Sequence, residues 1–191
     1  MPRQAISVSF CLLLLLLSLI TVCSYGLAAA EGAQTMSLKL QSPDFNEHGP
    51  IAKTFTCDGD DISPALTWSG IPANAKTLAL IVDDPDAPDP VAPKMTWVHW
   101  VLYNIPSTAL ELPQGVGADA LPEGTLQGKN DWKQTGYRGP CPPIGRHRYF
   151  HKLYALDIEL PNLNEPTKAE LEQAMQGHIL DKAEWVGTYE R

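Results

Sequence analysis

The sequence predicts a single mainly β domain, an antiparallel β-sandwich or barrel, behind an N-terminal export signal. Two observations support the fold prediction: short segments rich in β-branched, aromatic and aliphatic residues recur along the chain, and connections rich in Pro and Gly separate them. Helical segments do not alternate with these strands, so the pattern is not that of βαβ units around a parallel sheet. The predicted strands cover residues 36–40, 66–69, 77–82, 97–105, 149–156 and 183–189.

One helix is predicted late in the chain, over residues 167–176. Thr167 is followed three residues later by Glu170, which is the spacing of a capping box at the start of a helix. Leu171 and Met175 are four residues apart and therefore share one face of the helix. We expect that face to cover the sheet.

The first thirty residues are typical of a cleaved secretory signal peptide. They carry one positive charge, Arg3, an almost wholly apolar run over residues 10–20, and three small alanines that end at Ala30. We predict cleavage after Ala30. Residues 1–30 are then the signal peptide, residues 31–191 form one domain, and the mature protein is periplasmic or secreted.

Two other interpretations of this segment stay open. The uncharged stretch over residues 4–30 exceeds the roughly 20 residues that a transmembrane helix needs, although no basic flank follows it. Lipidation of Cys23 is the second interpretation, but the bulky Val22 precedes it where a small residue is expected. After cleavage we expect no membrane-spanning segment.

The charge balance argues against two classes of partner. The formal net charge is −8, from 14 Lys and Arg against 22 Asp and Glu. Loss of Arg3 with the signal leaves 13 basic residues and a charge of −9. Nucleic acids and anionic lipid surfaces bind clustered Lys and Arg, so neither is expected as a partner. Any anionic ligand needs a local site.

Cysteine usage leaves two possibilities for the mature chain. Cys11 and Cys23 leave with the signal, and Cys57 and Cys141 remain. An even pair in an exported protein favours a disulfide, and two separately buried thiols are the alternative. Neither Cys belongs to a CxxC unit, so no metal site is predicted.

The first candidate functional stretch is acidic and lies where a predicted strand ends. It places three carboxylates within four positions, at Asp83, Asp84 and Asp86, and continues through Ala87 and Pro88. Such a segment can bind calcium, form a solvated acidic loop, or place one buried carboxylate in a pocket.

The second stretch is a strand that carries a histidine between two tryptophans. In a strand, successive side chains point to opposite faces, so the residues of this stretch divide into two sets. The two sets are Trp97, His99 and Val101, and Val98, Trp100 and Leu102. An imidazole beside an indole suits a small charged headgroup, whereas a structural, hydrogen-bonded histidine is the alternative.

The third stretch is a Pro- and Gly-rich loop over residues 136–146 that leads into a strand with His147 and Tyr149 on one face. Backbone N–H groups, an imidazole and a phenol can all donate hydrogen bonds to phosphate or carboxylate. A rigid connector without a binding role is the alternative.

Together, the three stretches resemble the phosphatidylethanolamine-binding protein family, in its bacterial YbhB/YbcL, or Raf kinase inhibitor-like, branch. The resemblance covers nearly all of residues 36–191. The matching text comprises Asp84-Pro85-Asp86-Ala87-Pro88, Trp97-Val98-His99-Trp100, Gly139-Pro140-Cys141-Pro142-Pro143 and His147-Arg148-Tyr149, with Thr56-Cys57-Asp58-Gly59 and Gly187-Thr188-Tyr189 as further bacterial-type text.

This resemblance implies a two-sheet antiparallel β-sandwich with a few peripheral helices and one pocket for phosphate, phosphorylethanolamine or acetate. We expect no metal and no cofactor. The implied pocket residues are Asp84, Ala87, Pro88, Trp97, His99, Cys141, Pro142, Pro143, His147 and Tyr149. The resemblance also places both cysteine loops near the pocket, which favours a Cys57–Cys141 disulfide, and it favours a cis Ala87–Pro88 bond. The extra C-terminal helix of eukaryotic members has no counterpart here.

The expected function is that of an exported, non-catalytic binding protein for a small anionic or phosphorylated ligand such as a phospholipid headgroup, with a regulatory or inhibitory role. One alternative is a secreted protease or kinase inhibitor that acts through a protein interface. The other is a hydrolase that uses Asp84 with His99 and His147, although the chain contains no Gly-x-Ser-x-Gly motif. A protein partner and a homodimer stay open.

Overall fold

The computed structural model describes residues 37–191. The predicted signal peptide, its cleavage site and Cys23 therefore lie outside the described residues. Within the described part, no helix is long and apolar enough to cross a membrane.

The larger of two sheets has five antiparallel strands in the order β6-β4-β3-β7-β8. Its strands are β3 at Thr77–Asp84, β4 at Trp97–Pro106, β6 at Leu126–Gln127, β7 at His147–Leu156 and β8 at Ile179–Tyr189. β3 and β4 are rich in branched and aromatic residues, and both faces of these two strands are buried along almost their whole length. The C-terminal strand begins four residues earlier than the alternation pattern predicts.

The smaller sheet has three antiparallel strands in the order β1-β2-β5. These are β1 at Lys39–Gln41, β2 at Leu66–Ser69 and β5 at Glu111–Leu112. The two-residue strands β5 and β6 are too short to give a periodicity signal, so neither is predicted from the sequence.

The main core lies between the two sheets. Leu40 and Trp68 of the smaller sheet belong to one buried cluster with Leu80, Trp100 and Leu153 of the larger sheet. The fold is therefore a two-sheet antiparallel β-sandwich, which confirms the predicted fold class.

The opposite face of the larger sheet is covered by helix α1 at Lys168–Met175. The capping box is present, because the Thr167 side chain accepts from the Glu170 backbone and the Glu170 side chain accepts from the Thr167 backbone. Leu171 and Met175 are fully buried in a second cluster with residues of β3 and β4, as the i, i+4 spacing predicts. The helix thus buries the face of the sheet that points away from the main core.

A β-bulge interrupts the pairing of β3 with β4. Val82 pairs with Trp100 and Asp83 pairs with Val98, so His99 is the extra residue between the two pairs. Trp100 consequently packs in the core between the sheets, whereas Val98 and Val101 both pack on the helix side. The strict alternation expected from the sequence is wrong here, because it puts Val98 with Trp100 and His99 with Val101.

Candidate functional site

A cavity of about 390 Å³ lies where β3 ends and where β4 and β7 begin. Its walls consist of nine of the ten residues predicted for the pocket, together with Met95 and Trp132. The nine are Asp84, Ala87, Pro88, Trp97, His99, Cys141, Pro142, Pro143 and His147. Three stretches that are far apart in sequence therefore meet at one site.

The acidic stretch divides into carboxylates with different partners. Asp83 points to the helix side, where its oxygens lie 2.8 Å from Lys152 Nζ and 2.6 Å from Lys168 Nζ. Asp86 accepts two hydrogen bonds from the Arg148 guanidinium, at 2.7 and 2.9 Å. Only Asp84 lines the cavity. All three residues are buried, so the solvated-loop interpretation is wrong, and no group of three or more His, Cys, Asp or Glu in residues 37–191 is placed to hold a metal.

The loop after Asp84 turns sharply and returns towards the cavity. The Ala87–Pro88 peptide bond is cis, as predicted. The Ala87 carbonyl accepts hydrogen bonds from the N–H groups of Lys94, at 2.9 Å, and Met95, at 3.2 Å. These bonds close the loop and bring Met95 to the cavity wall.

His99 is held as a neutral imidazole. Its Nδ1 atom lies 2.6 Å from the Arg138 carbonyl oxygen, so this nitrogen carries the ring proton. Burial lowers the pKa of His99 from 6.5 to about 4, although the bond to Arg138 opposes the shift. The Nε2 atom is then a hydrogen-bond acceptor at neutral pH, and it has no partner among residues 37–191. Burial thus outweighs the nearby carboxylates, which favour the imidazolium form.

Both ring nitrogens of His147 are already engaged. Nδ1 lies 2.7 Å from Asp84 Oδ2, and Nε2 lies 3.0 Å from the Ile144 carbonyl oxygen. Burial raises the pKa of Asp84, while the bond from His147 opposes that rise. His147 therefore bridges the Asp84 carboxylate and the Ile144 carbonyl. In this arrangement neither nitrogen of His147 is free to donate to a ligand.

Tyr149 is the one predicted pocket residue that does not line the cavity. It lies behind the histidines, with its ring centroid 5.2 Å from that of His99 and 6.5 Å from that of His147. Burial raises the pKa of its phenol, so the hydroxyl stays protonated. Its ring packs edge-on against His99 and stacks with His147, and its buried hydroxyl has no hydrogen-bond partner among residues 37–191.

Sequence reasoning missed Trp132 and Met95. The Trp132 ring stands edge-on to Trp97, at 5.4 Å, and to His99, at 5.2 Å. It lies in a loop that is fixed by Asn130, whose Oδ1 accepts from the Trp132 and Gln134 N–H groups. The sequence does contain one indication of this role, because Trp132 directly follows Asn130 and Asp131 in a segment without strand or helix periodicity. A large aromatic residue in a loop often belongs to a binding site.

Cys141 joins the cavity wall to a distant loop. The structure links it to Cys57, with the two Cα atoms 5.4 Å apart, a separation that suits a disulfide. Hydrogen bonds run beside this link, from Cys57 N–H to the Pro140 carbonyl at 3.1 Å and from Gly139 N–H to Asp61 at 2.6 Å. The loop that carries the prolines of the cavity is therefore anchored on the N-terminal part of the domain.

Comparisons with known proteins agree on one family. The family model described as phosphatidylethanolamine-binding protein matches residues 41–190. A "UPF0098 protein" of Methanothermobacter thermautotrophicus is 48% identical over 155 residues, which is 81% of this chain and 99% of that protein. A Chlamydia trachomatis crystal structure, titled a putative phosphatidylethanolamine-binding protein homolog, superposes with a TM-score of 0.75 at 40% identity and covers 82% of this chain and 99% of its own.

Escherichia coli YbcL, described as a new member of the mammalian family, superposes with a TM-score of 0.74 at 31% identity, over 81% of this chain and 99% of its own. The chain therefore belongs to the phosphatidylethanolamine-binding protein family, in the branch that contains YbcL.

Proposed function

We propose that the protein is an exported, non-catalytic binding protein whose cavity takes a small ligand with a phosphoryl or carboxyl group. The observation that carries this proposal is the buried Nε2 atom of His99, which has no hydrogen-bond partner among residues 37–191 although its residue lines the cavity. A buried polar atom without a partner is costly, so a ligand group that shares a proton with this nitrogen gains affinity.

The protonation state of His99 selects the form of the ligand. A neutral imidazole with its proton on Nδ1 offers Nε2 only as an acceptor. A phosphoryl group with one O–H, or a carboxylic acid, can donate to it directly. A fully ionised ligand binds only when His99 gains a proton. In both cases one proton enters the cavity together with the acid group.

The remaining wall suits an ammonium group as well. Asp84 is an acceptor on the cavity wall, and the Trp97 indole offers a π-face to a cation. A ligand with both groups, such as the phosphorylethanolamine headgroup, can place its phosphoryl at His99 and its ammonium near Asp84. This arrangement supports a zwitterionic headgroup as the preferred ligand.

The same wall argues against hydrolysis. Covalent catalysis needs a nucleophile beside its base, and the only thiol on the wall, that of Cys141, is joined to Cys57. The Asp84–His147 pair resembles an acid–base unit, but Nε2 of His147 donates to the Ile144 carbonyl and not into the cavity. These contacts favour binding without chemistry.

An exposed apolar rim favours a second candidate, a docking module such as a secreted protease or kinase inhibitor. Val91 is 91% exposed, Ile144 57% and Met95 51%. Met95 lines the cavity, and Val91 and Ile144 belong to the two loops that carry its lining residues Pro88 and Pro143. Exposed apolar residues gathered at one place mark interaction sites. If this candidate is right, the wild-type protein inhibits at least one member of a panel of secreted proteases and kinases. Ile144→Asp should then abolish that inhibition and leave the affinity for phosphate unchanged.

Calorimetric titration of the purified protein tests the primary proposal. Phosphorylethanolamine, inorganic phosphate and acetate should each bind at one site per chain, and ethanolamine, which has no acid group, serves as the matched control ligand. Binding of the three acids and not of ethanolamine supports the proposal. Absence of binding by all three acids overturns it.

A further inference from the structure

A second cavity, of about 300 Å³, lies on the other side of the segment that contains Trp132 and Tyr137. Trp132 lines the first cavity, whereas Thr135, Gly136 and Tyr137 line the second, and no residue lines both. The second cavity therefore needs an explanation of its own, because the proposed function uses none of its walls.

Two buried polar side chains on this wall have no partner. Ser63 is 2% exposed and Trp100 is 1% exposed, and both line the cavity. Neither the Ser63 hydroxyl nor the Trp100 indole nitrogen makes a hydrogen bond within the part of the chain that the structure describes. Most buried polar groups in native proteins are satisfied, so two orphaned groups on one cavity wall are available to a ligand group.

The other strongly polar groups on the wall are already satisfied. Asp61 accepts from the Gly139 N–H at 2.6 Å and forms an ion pair with Arg138 at 3.1 Å. The Tyr137 hydroxyl donates to the Phe55 carbonyl at 2.9 Å. The wall thus offers no unpaired charge, and a charged ligand entering it would lose its hydration without compensation.

We propose that this second cavity binds a small uncharged carbonyl compound, with an amide as the best match. An indole N–H only donates, and a serine hydroxyl can donate, so together they suit the two lone pairs of one carbonyl oxygen. Gln127 also lines the cavity, and its carboxamide oxygen can accept from the N–H of an amide ligand. Anions and cations are excluded by the same wall.

The apolar part of the wall sets the size of the ligand. Ile62, Val116 and the Tyr137 ring line the cavity beside the polar pair. Its volume is at the lower end of about 300 to 1,000 Å³ that is typical of small-molecule sites, so the ligand has few atoms. Its affinity is correspondingly weak, with a dissociation constant of about 1 to 100 mM for a compound of five heavy atoms.

The probe is N-methylacetamide, titrated into the ¹⁵N-labelled protein while the indole N–H resonance of Trp100 is followed by NMR. The spectrum of Trp100→Phe identifies that resonance. We expect a saturable shift in the wild type and an affinity about 10-fold lower in Ser63→Ala. Ser69→Ala, on an exposed position of β2, is the matched control and should bind as the wild type does.

Ser63→Ala also separates a ligand role from a structural one. Because the Ser63 hydroxyl bonds to no group within residues 37–191, its removal should leave the melting temperature unchanged while it weakens amide binding. A Trp100 shift that does not saturate, equal binding by Ser63→Ala, or an equally strong shift with acetate would each overturn the proposal.

Discussion

The Nδ1 atom of His99 lies 2.6 Å from the carbonyl oxygen of Arg138, and the Arg138 N–H in turn lies 3.1 Å from the His99 carbonyl. This reciprocal pair attaches the bulge of β4 to the loop that carries Trp132. It also fixes the ring tautomer, because a carbonyl oxygen only accepts. The other ring nitrogen, Nε2, is consequently an acceptor for a ligand that carries a proton on its acid group.

Replacement of His99 should remove much of the affinity for acids. We expect His99→Ala to lower the affinity for inorganic phosphate at neutral pH about 10- to 100-fold, since a hydrogen bond to a charged group is worth about 1.5 to 3 kcal/mol. Calorimetry with the folded variant measures the change. His178→Ala, whose side chain is 40% exposed, is the control and should bind normally. Unchanged binding by His99→Ala would remove this histidine from the site.

Asp84 should discriminate between ligands. Asp84→Asn keeps the size of the side chain but loses the charge, so it should weaken phosphorylethanolamine about 10-fold more than inorganic phosphate, which has no ammonium. The ratio of the two affinities, measured in one variant, is independent of the fraction of folded protein. Asp89→Asn in the same loop should leave that ratio as it is. An equal loss for both ligands contradicts the ammonium position.

Stability should fall in mild acid because two histidines are buried as neutral groups. Burial lowers the pKa of His99 and of His151 to about 4, against 6.5 in an exposed chain. The unfolded state therefore binds more protons between these values, and the stabilisation that is complete above about pH 6.5 is lost as the pH falls towards 4. The loss is on the order of 3 kcal/mol per histidine.

Urea unfolding at pH 7, 5.5 and 4 measures this loss. His151→Leu should reduce the dependence on pH, and His178→Ala, at the surface, should not. A free energy of unfolding with the same pH dependence in His151→Leu and the wild type would show that His151 does not carry a depressed pKa.

The pairing of Cys57 with Cys141 should hold in the protein purified without a reductant. It closes a loop of 84 sequence positions, for which the chain-entropy estimate is about 4 kcal/mol of stabilisation. Ellman assay of unfolded, unreduced protein should find no thiol in the mature chain, and reduction should lower the urea midpoint. Two reactive thiols before reduction would refute the pairing.

The long strands and the capped helix could be predicted from sequence because their signals are local. Branched and aromatic residues mark β3, β4 and β7, and Thr167 with Glu170 marks the start of α1. Strand ends depend on pairing partners, so β8 begins earlier than its own alternation indicates. The bulge at His99 is a register shift between β3 and β4, and nothing in either strand alone reveals it.

The cavity was predictable as a set of residues but not as a set of hydrogen bonds. The order and spacing of the three candidate stretches resemble a known family, and this resemblance identified nine residues of the cavity wall. The partners of the two imidazoles are the carbonyls of Arg138 and Ile144, and backbone groups leave no trace in a motif. The sequence indicates His147 as a donor to an anion, whereas the structure engages both of its ring nitrogens and leaves Nε2 of His99 as an acceptor.

The protonation of His99 and its ligand can be determined from the number of protons taken up on binding. Calorimetric titration of phosphorylethanolamine in buffers of different ionisation enthalpy measures it between about pH 5 and 8, on either side of the phosphate pKa near 6. We predict uptake that rises from near zero at pH 5 to near one at pH 8, with an affinity that falls about 10-fold per pH unit at the alkaline end. No proton uptake at pH 8, together with an affinity that does not depend on pH, would contradict the account.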